Sequence, residues 1–527
     1  MNHSFMSRRQ LLQAAALGAS SAYLSHHAWA QTKVNSLPFG LGIASGSPTH
    51  DSVVLWTRLM QPALQEANSQ GIGVRWEVAD DDNFTRIAQT GQSIAVPGLA
   101  FSVHAEVQGL TPDRWYFYRF GVGDAISQVG RTRTLPAPDV AVARMRLAYA
   151  SCQRWEHGYF SAYRHMAQEN LDLVMFLGDY IYEYPRAANG VRTPPGGWVL
   201  TLDEYRARYA THKQDADLQA MHAACPWLVT WDDHEVQNDY AGLTVGENGP
   251  NVADFAARRS AAYQAFYEHM PVRASVLTRA VQGMASGAEM RIYSRAQYGQ
   301  LASLTMLDAR QYKSPQVCTR DGKPGSSTVN PANCAQWNDP ARTMLGAEQE
   351  QWLDAGWASK QTQSTGWNIV GQQSLLGQRD FRAGPGQNFW NDGWDGYSAA
   401  RNRLIDSARK NRVPNLVVLG GDVHENWVGQ IKSDYASAAS TAIGVEFCGT
   451  SITSRSGGNA KLAETLAENP HFVFADAERK GYGVLDVTPK QMTTTLRVVS
   501  DVTRQDAGVE TLAQFSVASG RAVVDRI

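Results

Sequence analysis

The chain lacks a strong charge imbalance and any apolar run long enough to span a bilayer. Its 48 lysine and arginine residues nearly balance 50 aspartate and glutamate residues, for a formal net charge of -2. A near-neutral chain has no polycationic face for nucleic acid, so we expect no stable nucleic-acid complex. A bilayer-spanning helix needs about 20 apolar residues in a row, and we therefore expect no transmembrane anchor.

Two familiar catalytic signatures are also missing. The sequence contains neither a G-x-S-x-G nucleophile elbow nor a G-x-x-x-x-G-K-[ST] phosphate loop. The glycine-rich segment at 40–46 has no helix pattern after it, so we expect a strand or turn there. These absences exclude the common serine-hydrolase and nucleotide-kinase classes.

Cysteines are few, and their number fits an oxidising compartment. Cys318 and Cys334 enclose a polar stretch rich in glycine, proline and asparagine, which predicts a long surface loop closed by a disulfide. Cys225 and Cys448 follow helix-like and strand-like patterns, so we expect both to be buried and unreactive.

The first 30 residues have the pattern of an export signal. Arg8 and Arg9 precede a moderately apolar stretch, and A-W-A at 28–30 offers a small-x-small cleavage pattern. Paired arginines are typical of the twin-arginine route. We therefore predict a twin-arginine signal peptide over 1–30, recognition by that export machinery, and a periplasmic or secreted protein.

Two domains are predicted after the signal. Residues 38–138 alternate in apolar character, and the aromatic segment 109–120 resembles the tyrosine-corner strand of fibronectin-like sandwiches. This favours a small all-β domain of fibronectin or immunoglobulin type. A proline-containing linker at 134–139 leads to an α/β catalytic domain at 144–527.

Four short segments carry the chemistry, and each follows an apolar run that predicts a buried strand. Strands of an α/β sheet end on a common edge, so the four segments can converge there. A lone Gly-Asp pair is often only a turn or helix cap, but four such segments with acids, a thiol, phenols and imidazoles indicate a hydrolytic metal site. The segments are A-S-C-Q at 150–153, G-D-Y-I-Y-E at 178–183, W-D-D-H-E-V-Q-N-D at 231–239 and G-G-D-V-H-E-N-W at 420–427.

The donor types predict two unlike ions side by side. Carboxylates suit calcium, magnesium or manganese, whereas thiolate, phenolate and imidazole favour a transition metal. Asp179 is the natural bridge between them. Because neighbouring residues of an extended segment face opposite ways and alternate ones share a face, several choices stay open. The open pairs are Tyr180 or Tyr182, Asp232 or Asp233, and Asn238 or Asp239.

Cys152 and His234 each have a structural alternative. Cys152 is either a thiolate ligand or a small buried hydrophobic residue. His234 either contacts the phosphate or protonates the leaving group, or it simply fixes a loop.

The four segments are similar to those of the PhoD-like alkaline phosphatases, a branch of the calcineurin-like metallophosphoesterase superfamily. The resemblance covers nearly the whole chain and implies a metallophosphoesterase-type β-sandwich core flanked by helices. It also implies Fe³⁺ and Ca²⁺ as cofactors, with Mn²⁺ or Mg²⁺ as the other divalent ions to consider. It assigns Cys152, Asp179, Tyr182 and His424 to the iron, and Asp179, Asp232 or Asp233, Asn238 and Asp422 to calcium.

We therefore expect a secreted alkaline phosphatase that releases inorganic phosphate from small phosphate esters. Attack by a metal-bound hydroxide would be assisted by the catalytic residues His234 and Asp179. A phosphodiesterase or phospholipase-D-like activity is the alternative within the family. A secreted binding protein is the alternative from another class, and it predicts that 38–138 alone retains the ligand.

Three further expectations concern helices and loops. Helix-like spans are predicted at 157–170, 202–223 and 251–269, and R-Y-A-T-H at 208–212 is expected on a helix surface. The loops at 185–200 and 380–397 are expected to shape access to the site. Three tryptophans in these loops either line the mouth or pack beneath it; they are Trp198, Trp390 and Trp394.

Overall fold

The computed structural model describes residues 37–527 with the exception of 63, 64, 66–69, 186, 188, 278–288 and 438. The predicted signal peptide lies outside the described residues. Within them the protein is a mixed α/β structure with several sheets. Among the described helices, none has the length and apolar character needed to cross a membrane.

The strands are numbered in the order in which they occur along the chain. They are β1 (Ile43–Gly46), β2 (Ser52–Arg58), β3 (Ile72–Ala79), β4 (Ile87–Ala95), β5 (Ser102–Gln108), β6 (Trp115–Val122), β7 (Ala125–Ile126), β8 (Gly130–Arg133), β9 (Met145–Ala150), β10 (Leu173–Phe176), β11 (Trp227–Val229), β12 (Ser294–Tyr298), β13 (Ala302–Met306), β14 (Thr328–Val329), β15 (Trp367–Gly371), β16 (Phe389–Trp390), β17 (Leu416–Gly420), β18 (Asn426–Lys432), β19 (Ala442–Cys448), β20 (Phe472–Asp476), β21 (Gly481–Val487), β22 (Gln491–Val499), β23 (Val509–Ala518) and β24 (Asp525–Arg526).

The α-helices of the described residues are fewer than the strands. They are α1 (Ser161–Met166), α2 (Leu202–Lys213), α3 (Ala216–Ala224), α4 (Phe255–His269), α5 (Ala347–Trp357), α6 (Lys360–Gln363), α7 (Ser398–Lys410) and α8 (Leu462–Glu468). The span predicted as one helix at 202–223 is two helices, because Asp215 caps the second by accepting from the backbone N–H groups of Asp217 and Leu218.

The chain divides into two compact units. Among the described residues, the first comprises those within 37–137, 200–228 and 256–291. The second comprises Pro138–Val199, Val229–Phe255 and Ile292–Ile527. Helices α2 and α3, and nearly all of α4, therefore belong to the same compact unit as the strands of 38–137.

In the first unit, β4, β3, β6 and β7 are neighbours in that order and β8 pairs with β6, while β1, β2 and β5 form an antiparallel set. Alternation in β3 buries Ile72, Val74, Trp76 and Val78, as expected for a strand with one face in the core. The hydroxyl of Tyr116 accepts a 2.9 Å hydrogen bond from the Thr111 N–H.

Segment 208–212 was expected on a helix surface, and that prediction was wrong. Arg208, Tyr209 and His212 are each at most 2 % exposed. The Tyr209 ring stacks on His269 of α4 with ring centroids 4.9 Å apart. The polar residues of this segment suggested exposure to solvent, but α2 is covered on that side by the aromatic and imidazole rings of its own unit.

In the second unit, β24, β23, β22, β21, β9 and β10 lie in that order, and a seven-stranded sheet has the order β12-β13-β15-β17-β19-β18-β20. The pairs β9–β10, β13–β15, β15–β17 and β17–β19 are parallel. The two sheets pack on each other, because the Phe515 ring of β23 lies 6.2 Å from Phe447 and 5.5 Å from Phe474, between centroids. Parallel strands in this unit thus point their carboxyl ends the same way.

The predicted disulfide and the predicted burial of Cys225 and Cys448 are confirmed. Cys318 and Cys334 form a disulfide with their Cα atoms 6.0 Å apart. Cys152, Cys225 and Cys448 are free and buried.

Candidate metal centre

Left-handed backbone geometry turns the candidate residues out of their strands. β9, β10 and β17 end shortly before Cys152, Asp179 and Asp422, whose φ angles are 60°, 58° and 65°; His424 follows at 59°. Such angles are uncommon outside glycine and often mark functional sites.

Gly178 allows two of the segments to approach each other. Its φ is +109°, and a Cβ built there would lie 2.5 Å from the Asp232 Cβ, closer than real side chains come. Only glycine satisfies both the angle and the space. The segment after β10 can therefore lie directly against the segment after β11.

Glu235 joins those same two segments. Its buried carboxylate accepts backbone N–H bonds from Asp179 at 3.2 Å, Tyr180 at 2.6 Å and Asp232 at 2.8 Å. Burial, reinforced by the nearby Asp179 charge, raises the pKa of Glu235 to about 8. Sequence analysis missed this role, because an acid inside W-D-D-H-E gives no sign of which backbone it will bind.

Three overlapping groups of candidate ligands lie beyond the strand ends. Within each group the candidate ligand atoms are all within 4.8 Å of one another. The first two share Asp179 and the last two share Asp233. The groups are Cys152, Asp179 and His424; Asp179, Asp233 and His234; and Asp232, Asp233 and Asp422.

Tyr182 and Tyr180 have different surroundings. The Tyr182 hydroxyl donates to Asp179 Oδ2 at 2.8 Å and lies 3.1 Å from His424 Nε2. The Tyr180 ring packs edge-on against Phe176, with centroids 5.4 Å apart. Tyr182 is therefore the phenol that reaches the group formed by Cys152, Asp179 and His424.

Several buried carboxylate oxygens of the centre have no hydrogen-bond partner. They are Asp179 Oδ1, Asp232 Oδ2 and Asp233 Oδ1. Buried polar atoms are normally satisfied, so orphaned oxygens on residues of the overlapping ligand groups fit a cation. Burial also raises the pKa of Asp233 to about 6, against the opposing effect of Arg310, and raises that of Asp422. The donor set therefore fits a metal group, with softer donors on the Cys152 side and oxygens on the Asp232 side.

His424 is oriented by a backbone acceptor. Its Nδ1 lies 2.9 Å from the carbonyl oxygen of Arg455, so this nitrogen carries the proton. Nε2 is then the basic nitrogen, and it lies 3.9 Å from Asp179 Oδ2. An outer hydrogen bond of this type is how metal-binding histidines are usually fixed.

His234 is held by a buried glutamate. Its Nδ1 lies 2.7 Å from Glu183 Oε2, and the other Glu183 oxygen accepts the Asn238 N–H at 2.8 Å. Burial lowers the pKa of His234, but Glu183 and Asp179 together raise it well above its usual range. Glu183 leaves Nε2 as the ring nitrogen available for chemistry, and it places the Asn238 backbone beside the centre.

Asp239 contacts the centre through its backbone. Its N–H donates to Asp233 Oδ2 at 2.6 Å, and its side chain accepts the Ser326 N–H at 3.2 Å. Asp233 therefore has one oxygen fixed by Asp239 and the other without a hydrogen bond. Asp239 also connects the centre to the disulfide-closed loop that contains Ser326.

Arg310 is the most heavily contacted cation of the centre, and sequence analysis did not single it out. It lies just beyond β13 and is 2 % exposed. Its guanidinium contacts Asp232 at 2.5 Å, Asp392 at 2.7 Å, Asp233 at 3.6 Å and Asp422 at 3.8 Å. Its position at the end of an apolar strand was the only available signal.

The three loop tryptophans do not share one environment. Trp390 is half-buried and lines a cavity of about 850 Å³ between the loops 245–252 and 320–328. Trp394 is 1 % exposed, with its Nε1–H bonded to Gln372, so it packs rather than lines a mouth. The Trp198 ring lies edge-on to Tyr184, with centroids 5.3 Å apart.

Fold and site together define a class of protein. A mixed α/β structure that gathers acids, imidazoles, a thiol and a phenol beyond its strand ends is typical of metal-assisted hydrolases acting on phosphoryl groups.

Comparison with known proteins identifies the family. The PhoD-like phosphatase model matches residues 147–496, and the model of the PhoD-like phosphatase N-terminal domain matches residues 25–136. Alkaline phosphatase D of Bacillus subtilis (strain 168) is 44 % identical over 491 residues, covering 91 % of this chain and 81 % of that protein. A solved structure of PhoD is 43 % identical with a TM-score of 0.85, covering 94 % of this chain and 93 % of that one. The chain belongs to the PhoD-like phosphatase family.

Membership confirms the predicted activity class: the protein is a phosphate-ester hydrolase. It also confirms the family predicted from the four segments.

Proposed function

We propose that this phosphatase depends on a mixed metal centre of ferric iron and calcium, with manganese or magnesium as substitutes for calcium. The observation that carries the proposal is the set of unpartnered carboxylate oxygens on Asp179, Asp232 and Asp233, in groups that overlap through Asp179 and Asp233. Overlap is what a pair of neighbouring ions sharing a carboxylate requires.

The iron would be held by Cys152, Asp179, Tyr182 and His424. Three of these form one compact group, and the Tyr182 hydroxyl reaches both Asp179 and His424. Burial raises the pKa of the Cys152 thiol and of the Tyr182 phenol, so neither ionises readily by itself. A strongly charged cation is the partner that would favour their ionised forms.

Calcium would be held on the oxygen-rich side. Asp179, Asp233, Asp232 and Asp422 supply carboxylates there, and we keep the Asn238 side chain as a further oxygen ligand. Both Asp232 and Asp233 belong to the third group, so we assign ligand roles to both. Asp239 is assigned to bracing Asp233 through its N–H.

When bound, the metals would neutralise the phosphoryl oxygens and lower the pKa of a water molecule for attack. The chain's own residues do the rest. Asp179 is oriented by Tyr182 and by the Glu235 clamp on its backbone. His234 is oriented by Glu183, and its Nε2 would give a proton to the leaving oxygen.

Elemental analysis of the purified protein beside a phosphatase assay tests the proposal. We expect iron and calcium to co-purify, and chelation to remove calcium and activity together. Full activity in a protein free of metals would contradict the centre.

The cavity beside the centre favours a second candidate, a phosphodiesterase. Its lining includes Gln237, three residues after His234 in sequence, and Ser326, whose N–H is bonded to Asp239. About 850 Å³ is enough for a second ester arm. The rates of hydrolysis of a phosphate monoester and of a diester with the same leaving group would distinguish the two candidates.

We further propose that an N-terminal β-domain at 38–138 precedes a metallophosphoesterase-type sandwich, which the two packed sheets of the second unit form. We also propose export by the twin-arginine route to the periplasm or the exterior. Export predicts that Arg8→Lys with Arg9→Lys strands the precursor in the cytoplasm. Fractionation and N-terminal sequencing check this; unchanged processing near Gln31 would contradict it.

A further inference from the structure

Arg310 lies where a metal ion's own ligands converge. Its Nε contacts Asp232 at 2.5 Å, and its NH2 nitrogen lies 3.6 Å from Asp233 and 3.8 Å from Asp422. These three acids form the third candidate metal group. One buried guanidinium thus faces every carboxylate of that group.

The other side of Arg310 is anchored by a second buried pair. Its NH1 donates to Asp392 Oδ2 at 2.7 Å, and Asp392 Oδ1 accepts from Lys313 Nζ at 2.5 Å. Gln316 adds a 2.6 Å hydrogen bond to that same Oδ1. Arg310, Lys313 and Asp392 are each at most 3 % exposed, so the guanidinium has little freedom to move away.

Asp232 and Asp233 each have one carboxylate oxygen that is hydrogen-bonded to the protein and one that makes no hydrogen bond. Asp232 gives Oδ1 to Arg310 and leaves Oδ2 unpartnered. Asp233 gives Oδ2 to the Asp239 N–H, and its Oδ1 makes no hydrogen bond and lies 3.6 Å from the Arg310 NH2 nitrogen. Arg310 therefore fixes which Asp232 oxygen faces the centre, and it adds one permanent positive charge next to the ligands.

We infer that Arg310 is a positioning residue and built-in countercharge that weakens cation binding by Asp232, Asp233 and Asp422. The inference rests on the proposed metal centre. Its physical reason is that like charges a few ångströms apart repel strongly in a buried site. The repulsion would make the oxygen-rich half hold its cation loosely enough to exchange.

The test is a chelator-competition measurement of calcium affinity on the purified, calcium-loaded enzyme. We expect Arg310→Met to bind calcium at least about tenfold more tightly than the natural protein, since the repelling charge is gone. Arg310→Lys keeps the charge and should stay within a few-fold of the natural value. Lys313 contacts Asp392 rather than the three ligand aspartates, so Lys313→Met should tighten calcium binding by a smaller factor. This second variant tests the inference if Arg310→Met does not fold.

Arg401→Met is the matched control. Arg401 is a 3 % exposed arginine paired with Asp395, outside the three ligand groups. Its loss should lower thermal stability without changing calcium affinity. Weaker or unchanged calcium binding in both Arg310→Met and Lys313→Met would overturn the inference and leave the metal centre standing. No bound calcium in the natural protein would instead overturn the proposed function.

Discussion

Single carboxylate oxygens decide how the centre can work. Asp179 has one oxygen bonded to the Tyr182 hydroxyl, while the other is buried without a hydrogen-bond partner. Burial alone would raise the pKa of Asp179, but His234 and His424 hold it below its usual range. An ionised, half-satisfied carboxylate shared by two ligand groups is the residue on which both metals would depend.

Asp179→Asn should therefore abolish loading of both metals and reduce turnover at least about 100-fold, the scale seen when metal-site partners are lost. Metal analysis and kcat on one phosphate ester check this. Asp406→Asn, a substitution on the exposed side of α7 where Asp406 makes a surface pair with Arg409, is the control and should behave like the natural protein. Normal iron and calcium in Asp179→Asn would contradict the bridging role.

His234→Ala should separate chemistry from metal binding. Because Glu183 engages Nδ1 and leaves Nε2 free, we expect turnover to fall about 10²- to 10⁴-fold, with iron and calcium retained. The loss should be smaller for esters with better leaving groups, which need less protonation. A protein that loses its metals would show that His234 is a ligand instead.

Tyr182 and Tyr180 give a spectroscopic test of the iron. A phenolate bound to ferric iron produces charge-transfer absorption in the visible range, so the purified enzyme should be coloured. Tyr182→Phe should shift or bleach the band, whereas Tyr180→Phe should spare it, because that ring packs on Phe176. A colourless active enzyme without iron would reject this half of the centre while leaving the aspartates in place.

At the scale of elements, the site depends on loops that leave strands and are then tied together. β10 and β11 lead into the segments holding Asp179 and Asp232, and Glu235 bonds to the backbone of both. Three backbone N–H groups converge on one buried carboxyl group, and all three would lose their acceptor if it were removed. The relative position of the two segments thus rests on a side chain that we do not assign as a metal ligand.

Glu235→Gln should weaken this connection. The amide keeps one acceptor oxygen but turns an NH2 group toward backbone donors, so we expect a loss of about 1–3 kcal/mol in the free energy of unfolding. Metal affinity should fall as well, because both ligand segments loosen. Urea unfolding and metal titration measure the two effects, with Glu464→Gln on exposed α8 as control. Unchanged metal affinity would show that the clamp does not position the ligands.

The predicted strands were the reliable part of the sequence analysis. The apolar runs before the four segments are β9, β10, β11 and β17 in the structure, because continuous apolar runs are typical of strands buried on both faces. Arg310 could not be found that way. It is 78 residues from Asp232 in sequence, and periodicity carries no information about such a contact.

Across the whole molecule, the first compact unit contains buried histidines that should make it sensitive to acid. The His104 ring nitrogen Nε2 bonds to the carbonyl oxygens of Tyr267 and Met270 at 2.8 and 3.0 Å. Burial lowers the pKa of His104 to about 4 and holds those of His222 and His269 well below their usual range.

The sign of the pH effect follows from this direction. Between pH 6.5 and 4 the unfolded chain binds a proton at His104 and the folded chain does not, so the free energy of unfolding should fall as pH falls through that window. His104→Gln should reduce the slope, since glutamine can donate to the same carbonyls without titrating. Urea unfolding at several pH values measures it; identical slopes would contradict the role of His104.

The left-handed backbone at Cys152, Asp179, Asp422 and His424 creates a conflict between thermal stability and activity. Each such angle costs a non-glycine residue roughly 1–3 kcal/mol, and glycine adopts it freely. A laboratory evolution campaign that screened survivors of heating, and never assayed phosphate release, would be drawn toward glycine at these four codons. It would return a more heat-resistant protein that lacks the proposed metal ligands.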